Sequence, residues 1–203
     1  VSVNKPTMND WEISVKRTFD VIISMLAMIL LAPLMLYLSL KIKQDSKGPV
    51  FYRQKRIGRN GAEFEILKFR TMYYGSENGK PKLSSPNDER ITNAGRLLRK
   101  YRLDEIPQFW NVLKGDMSIV GPRPERKFFI DQIIKEAPYY CLLYRIRPGL
   151  TSWGPIKIGY SDTIDKMIER LNYDIIYMEN MSLLTDAKIL ISTFEVLFRG
   201  KGM

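Results

Sequence analysis

The stretch Val21–Leu40, VIISMLAMILLAPLMLYLSL, runs for twenty residues without a charge. As one straight helix it would measure about 30 Å, enough to cross the hydrocarbon layer of a bilayer. A secretory signal fits poorly, since its apolar core is usually only ~7–15 residues and no small-x-small cleavage site follows. A buried core helix also fits poorly, because a domain of this size seldom hides a helix that is apolar all round. Pro33, preceded by Ala32, interrupts the segment. Its nitrogen carries no hydrogen and its ring would clash with the Ile29 carbonyl, so a kink or break is expected at Ala32-Pro33. Lys16 and Arg17 flank one end; Lys41, Lys43 and Lys47 flank the other. A full span should show charge asymmetry between its flanks. A re-entrant hairpin that enters the bilayer and returns to the same side meets both observations.

The chain has 203 residues, enough for one domain with a real core and short for two. It has no histidine, which removes histidine bases, histidine triads and histidine metal sites. The lone cysteine, Cys141, excludes an internal disulfide and a thiolate zinc cluster, and within YYCLLY it reads as a packing residue. Carboxylates, hydroxyls, lysines and arginines remain for chemistry, so a metal would be oxygen-bound Mg²⁺ or Mn²⁺. The net charge of +10 suits nucleic acid or an anionic membrane surface. The apolar segment decides for the lipid bilayer, and nucleic acid is not expected as a partner.

Gly48–Met72 predicts a β-hairpin: two runs alternate with period two, and Arg59-Asn60-Gly61 lies between them as a turn. Lys68 and Arg70 share one strand face, within reach of a phosphate. Tyr74–Asp88 is rich in Gly, Ser, Asn and Pro and reads as an exposed loop, either a passive connector or a lid. Thr92 caps a helix running to about Arg102. Helices are expected over Glu125–Ala137 and Asp165–Met178. A last helix over Ser182–Phe198 places Leu183, Ala187, Leu190, Ile191, Phe194, Leu197 and Phe198 on one face, for the core or for a membrane interface.

The chemistry concentrates in Leu97–Glu125, LLRKYRLDEIPQFWNVLKGDMSIVGPRPE. Arg96, Arg99, Lys100 and Arg102 precede the carboxylate pair Asp104-Glu105. Asp104 reads as the N-cap of a short helix, with Pro107 in its first turn and Gly115 ending it. There, free N–H groups and the helix dipole would keep the acid ionised. An ionised carboxylate among cations suggests work on an anion, by attack or through a metal. Pro122 and Pro124 fix the backbone around Arg123, a suitable mount for a guanidinium that grips phosphate.

The string LDEIPQFWNVLKGDMSIVGPRP closely resembles the signature of the bacterial sugar transferases, the monotopic polyprenol-phosphate phosphoglycosyl transferases, whose usual form is LDELPQxxNVLkGDMSxVGPRP. GPVFYRQKRIG, KFRTM, RPGLTSW and the Asn172–Tyr177 region resemble the same family, so the likeness runs from about Lys16 to the C-terminus. Two departures stand out. Ala32 replaces the serine frequent before the break, and GPIKIGY over 154–160 replaces an AQVNGR-like run.

The resemblance implies an α/β fold: a small mixed helix and β-hairpin domain on the cytoplasmic face, carried by a Pro-broken re-entrant membrane helix with interfacial amphipathic helices. The expected division is an arm over 1–15, the hairpin over 16–45 and the catalytic domain over 46–203. It is expected to be the small form, without the spanning helices and further domain of larger relatives. The implied reaction moves a sugar 1-phosphate from a UDP-sugar to polyprenol (undecaprenyl) phosphate and releases UMP, with Mg²⁺, at the bacterial inner membrane. Such a step opens the assembly of an exopolysaccharide, O-antigen or glycoprotein glycan. Asp104 would attack the β-phosphate, and Glu105 would ligate the metal or accept a proton. Lys68, Arg99, Arg123, Pro122, Arg70 and Arg147 would line the substrate, while Asp174 is expected to be structural. Downstream glycosyltransferases are expected partners and a homodimer is left open. The alternative is a non-enzymatic basic scaffold on the membrane.

Overall fold

The computed structural model describes residues 8–77, 81–83, 88–159 and 161–198. The apolar segment is broken where the sequence requires it. Helix α1, Asp10–Leu30, ends at Leu31, and α2, Ala32–Asp45, leaves at an angle of 59°. Pro33 falls in the first turn of α2, where a missing N–H leaves no intrahelical bond unmade. No single described helix is long and apolar enough to cross a membrane; the bent pair reaches that length and composition only together. Around the break the apolar side chains point outward, with Ile29, Leu30 and Leu36 64%, 75% and 64% exposed.

The two halves of α1 behave differently. Lys16 donates to the Val120 carbonyl at 3.0 Å and pairs with Asp186. Arg17 donates to the carbonyls of Val112 and Leu113, and Asp20 is buried. Lys16 and Arg17 are therefore not the free basic flank expected from the sequence. Lys41, Lys43 and Lys47 on the other side are exposed.

Strands β1, Phe51–Ile57, and β2, Glu63–Phe69, form the expected antiparallel hairpin, in register from Phe51 against Phe69 to Ile57 against Glu63. Asn60 and Gly61 take φ of 58° and 72°, which is why that turn needs Asn-Gly. Helix α3, Asn93–Lys100, starts at Thr92, whose hydroxyl accepts from Gly95 N. Helix α4, Gln108–Lys114, stops at Gly115 with φ 98°. Beyond it lies a short parallel pair that no alternation in the sequence announces: β3, Ser118–Val120, and β4, Gly149–Thr151. Helices α5, Lys127–Glu136, α6, Trp153–Ile158, α7, Ile164–Glu179, and α8, Leu183–Phe198, complete the described chain.

The apolar interior falls into three clusters. One joins Val112, Met117, Ile119, Met178 and Ile189. A second joins Phe129, Ile130 and Ile133 of α5 to Leu171 of α7. The third locks Leu38 and Ile42 of α2 to Phe69, Leu98 and Ile106, so the far arm of the bent pair is packed onto the body. The face expected of α8 is only partly in the core: Leu183 and Leu190 pack against it, Ile191 and Phe194 are exposed, and Ile189 and Asp186 are the buried positions. The reason is Asp186, whose partners Lys16 and Tyr177 draw a polar position inward. Cys141 is exposed, not packed.

Helix α3 lies so close to the chain after β2 that only glycine fits at position 95. A Cβ there would sit 2.0 Å from the Thr71 carbonyl oxygen, a backbone atom that cannot swing away. Gly95→Ala should therefore force α3 outward and destabilise the protein by about 1–3 kcal/mol. A thermal melt in detergent checks this, and an unchanged Tm would mean that α3 is not seated there.

Candidate active site

The hairpin, α3 and the segment after β3 converge on a cavity of about 690 Å³. At its floor, Leu103–Glu105 forms a single 3-10 turn, entered through Arg102, a non-glycine residue with φ 53°. Asp104 is therefore not an N-cap: Arg102 takes that place for the turn, and Pro107 takes it for α4. The helix-dipole account of its charge fails with that geometry. Neighbouring side chains set the ionisation instead.

Glu105 is the centre of the arrangement. Its Oε1 accepts from Lys68 Nζ at 3.0 Å and from Arg123 Nη2 at 2.9 Å. Burial pushes its carboxyl up, but Lys68, Arg123 and Arg102 override that and hold it well below the usual carboxylate range. Asp104 is 8% exposed and its nearest cation is Lys68, 4.0 Å away. Burial pushes Asp104 up; Lys68 opposes this and the charge on Glu105 adds to it. One carboxylate is thus firmly paired while its neighbour faces the cavity with only a long ionic contact.

Cations surround the pair. Lys68, Arg99, Arg102, Arg123, Arg126 and Arg170 all line the cavity. Arg99 is braced by Thr71, whose hydroxyl accepts from Nε at 2.9 Å. Arg102 Nε is buried with no hydrogen-bond partner among the described residues. Glu125 is buried and clamped between Arg170 and Arg56. Glu77 is held by Arg126 and by the Tyr52 hydroxyl, which ties part of the 74–88 loop to the wall. Residues 78–80 and 84–87 of that loop lie outside the described residues.

Of the residues expected here, Lys68, Arg70, Arg99, Asp104, Glu105 and Arg123 line the cavity; Pro122 and Arg147 do not. Arg70 is 4% exposed, and its guanidinium donates to the carbonyls of Lys47, Ser46 and Ile42, closing the C-terminus of α2. Pro122 is buried behind Arg123, its carbonyl accepting from Gly149 N at 2.8 Å. Arg147 donates to the Gly115 carbonyl at the end of α4. Arg56, Arg126, Arg170, Glu125 and Glu77 were not anticipated as site residues. Glu125 directly follows the signature string and could have been suspected; Arg170, inside an ordinary helical pattern, gives no such sign.

The family model described as bacterial sugar transferase matches residues 11–200. The chain belongs to that family. It is 39% identical over 188 residues to an N-acetylgalactosamine phosphotransferase of Aeromonas hydrophila, named for UDP-N-acetylgalactosamine and undecaprenyl phosphate; the match covers 93% of this chain and 44% of that protein. It is 41% identical to a UDP-glucose:undecaprenyl-phosphate glucose-1-phosphate transferase of Caulobacter vibrioides, over 90% of this chain and 69% of the relative. It is 38% identical to the exopolysaccharide production protein ExoY of Sinorhizobium fredii, over 92% of this chain and 87% of the relative. The chain spans less than half the length of several curated relatives, among them the Aeromonas protein.

Within this bacterial sugar transferase, Asp174 lies under the wall rather than in it. Its Oδ2 accepts from Arg123 N and its Oδ1 from Gly154 N, each at 3.4 Å. Burial pushes its carboxyl up to about 6, against the pull of Arg170. The folded protein then keeps a proton that the unfolded chain releases near pH 3.8, so stability falls as pH rises through that interval. Asp174→Asn removes the titration. Its stability relative to wild type should rise by up to about 3 kcal/mol between pH 4 and 7. Urea unfolding at both pH values checks this; parallel curves would mean that Asp174 titrates normally.

Proposed function

We propose that this chain transfers a sugar 1-phosphate from a UDP-sugar to polyprenol phosphate. The observation that carries the reading is the contrast within the carboxylate pair: Glu105 is held by Lys68 and Arg123, and Asp104 is left facing a cation-lined cavity. In the first step an Asp104 oxygen bonds to the β-phosphorus of the UDP-sugar. The bond from that phosphorus to the bridging oxygen breaks, and UMP leaves. In the second step an oxygen of polyprenol phosphate bonds to the same phosphorus, the carboxylate leaves, and polyprenyl-diphospho-sugar results. A covalent route suits two substrates of opposite solubility, since they need not be held together. Arg123, Lys68 and Arg99 offset the charge of the transferring group. The relatives are named for different sugars, so donor identity is a matter for assay.

The donor set suits a hard cation. Two adjacent carboxylates supply oxygen ligands, and among the described residues there is no group of three or more candidate ligands. Magnesium, with manganese as a substitute, is commonly held by one or two carboxylates and substrate phosphates together. Asp104 and Glu105 would hold it, and it would stabilise charge on the departing phosphate.

The same reading places α1 and α2 in one leaflet as a re-entrant hairpin on the cytoplasmic face of the inner membrane. Its support is the outward apolar surface around the 59° break, the exposed lysines at the far end of α2 and just past it, and Arg70, which bonds the last turn of α2 to the cavity wall. A water–lipid boundary is where a soluble donor and a membrane acceptor meet. Glycosyltransferases that extend the lipid-linked sugar would act next.

Asp104→Asn should abolish UMP release and the protein–phosphosugar adduct while the protein still folds and binds membrane. A rate near wild type would remove Asp104 as the nucleophile. Lys68→Met tests the electrostatics. Attack needs ionised Asp104, so the rate falls as pH drops through its pKa, and Lys68 is the main group pulling that pKa down. Without it, the acid limb of the kcat profile should move to higher pH. A limb that stays put or moves lower would contradict the assignment.

A further inference from the structure

Residues 118–123 carry Arg123 into the cavity, held by the ladder to β4, by Asp174 and, from α1, by Asp20. Asp20 of α1 is 5% exposed and holds both residues at the start of β3: the Ser118 hydroxyl donates to Oδ2 at 2.6 Å and Ile119 N donates to Oδ1 at 3.1 Å. One turn earlier, Arg17 donates to the carbonyls of Val112 and Leu113 at 2.8 and 3.1 Å, near the end of the helix that follows Asp104-Glu105. One helix therefore fixes both segments whose ends meet in the Glu105–Arg123 ion pair. Carboxylate bonds to a buried hydroxyl and a backbone N–H are strong, short and directional. Nothing in Asp20 approaches the cavity itself.

We infer that Asp20 is a positioning residue for the transfer reaction: through Ser118 and Ile119 it sets where Arg123 stands against Glu105. This rests on the proposed phosphotransfer, because it assigns Asp20 a part in it. A carboxylate this deeply buried needs a partner, and here that partner is the strand leading to the site. The polar half of α1 thereby ties catalysis to the helix whose next turns form the exposed apolar surface.

The test is a double-mutant cycle between Asp20→Ala and Arg123→Ala in full-length protein in detergent, normalised to folded protein. Asp20→Ala should lower kcat by about 10- to 100-fold with a smaller change in KM, as expected for a misplaced group. In the Arg123→Ala background the same change should cost less than about 2-fold, since the group it places is gone. Penalties that multiply would overturn the inference, as would an unchanged kcat. Should Asp20→Ala not fold, Ser118→Ala removes one of the two bonds and takes its place in the cycle under the same criteria. Binding of UDP is measured across the same four proteins. If wild type binds UDP but turns over no UDP-sugar, the phosphotransfer reading fails while the binding cycle still decides whether Asp20 acts through Arg123. Additive losses of binding, or no UDP binding by wild type, would overturn the inference.

Discussion

One carboxylate oxygen, Glu105 Oε1, is shared by Lys68 and Arg123, and three separate pieces of chain meet through it. Lys68 arrives on β2, Glu105 on the 3-10 turn, and Arg123 on the segment after β3. Glu105 lies 37 residues from Lys68 and 18 from Arg123. Their side chains are largely buried, so each charge has lost most of its hydration. Burial of that kind is tolerated only where the partner is in place, and removing one member would strand the others. The pairing therefore acts as a constraint on backbone placement as much as a local attraction.

The same pairing separates the two acids. Glu105 sits deep in the cation field and stays ionised far into acid. Asp104, next to it in sequence, receives the longer contact with Lys68 and the repulsion of its neighbour. Adjacent carboxylates with identical local chemistry thus acquire different basicities, and the less stabilised one is the better nucleophile. A second buried carboxylate, Glu125 between Arg56 and Arg170, repeats the principle farther along the wall. It neutralises two guanidinium groups that would otherwise repel Arg123 and Arg126. The site is a lattice of alternating charge, with excess cation left facing the cavity.

Much of this was readable from the sequence where one residue type has few options. Pro33 dictated a break, Asn60-Gly61 a tight turn, Thr92 a helix start and Gly115 a helix stop; each follows from local backbone sterics or capping. The signature string brought Asp104, Glu105 and Arg123 together because it is long and specific. What escaped were features set by distant partners. The parallel β3–β4 pair is three residues a side, too short for periodicity to register. Asp104 looked like an N-cap because Asp before a helical run commonly is one, but Arg102 in the left-handed region inserts an extra turn first. Arg70 and Arg147 looked like phosphate ligands, yet their guanidinium groups meet helix C-terminal carbonyls, a contact that no one-dimensional pattern distinguishes from a binding role. For α8, hydrophobicity left core and interface both open, and it gave no sign that Asp186 would be buried against Lys16 and Tyr177.

Helix α1 shows why charge counts near an apolar segment mislead. Lys16 and Arg17 lie in the turn before the charge-free run and by proximity resemble the basic flank of a membrane insertion, with Asp20 beside them. Their heads instead reach Val120, Asp186, Val112, Leu113, Ser118 and Ile119, all on the body of the protein. Lys41 and Lys43 near the end of α2, and Lys47 just past it, stay exposed. The polarity of the hairpin is thus divided by task, with the first arm bonded through charge and the second packed through Leu38 and Ile42. Because both arms are held, the exposed apolar tip between them keeps a fixed orientation relative to Glu105. A flexible linker at either arm would let that tip swing relative to the cavity. Two rigid attachments of different chemistry prevent that, and neither needs the tip itself to contact the protein.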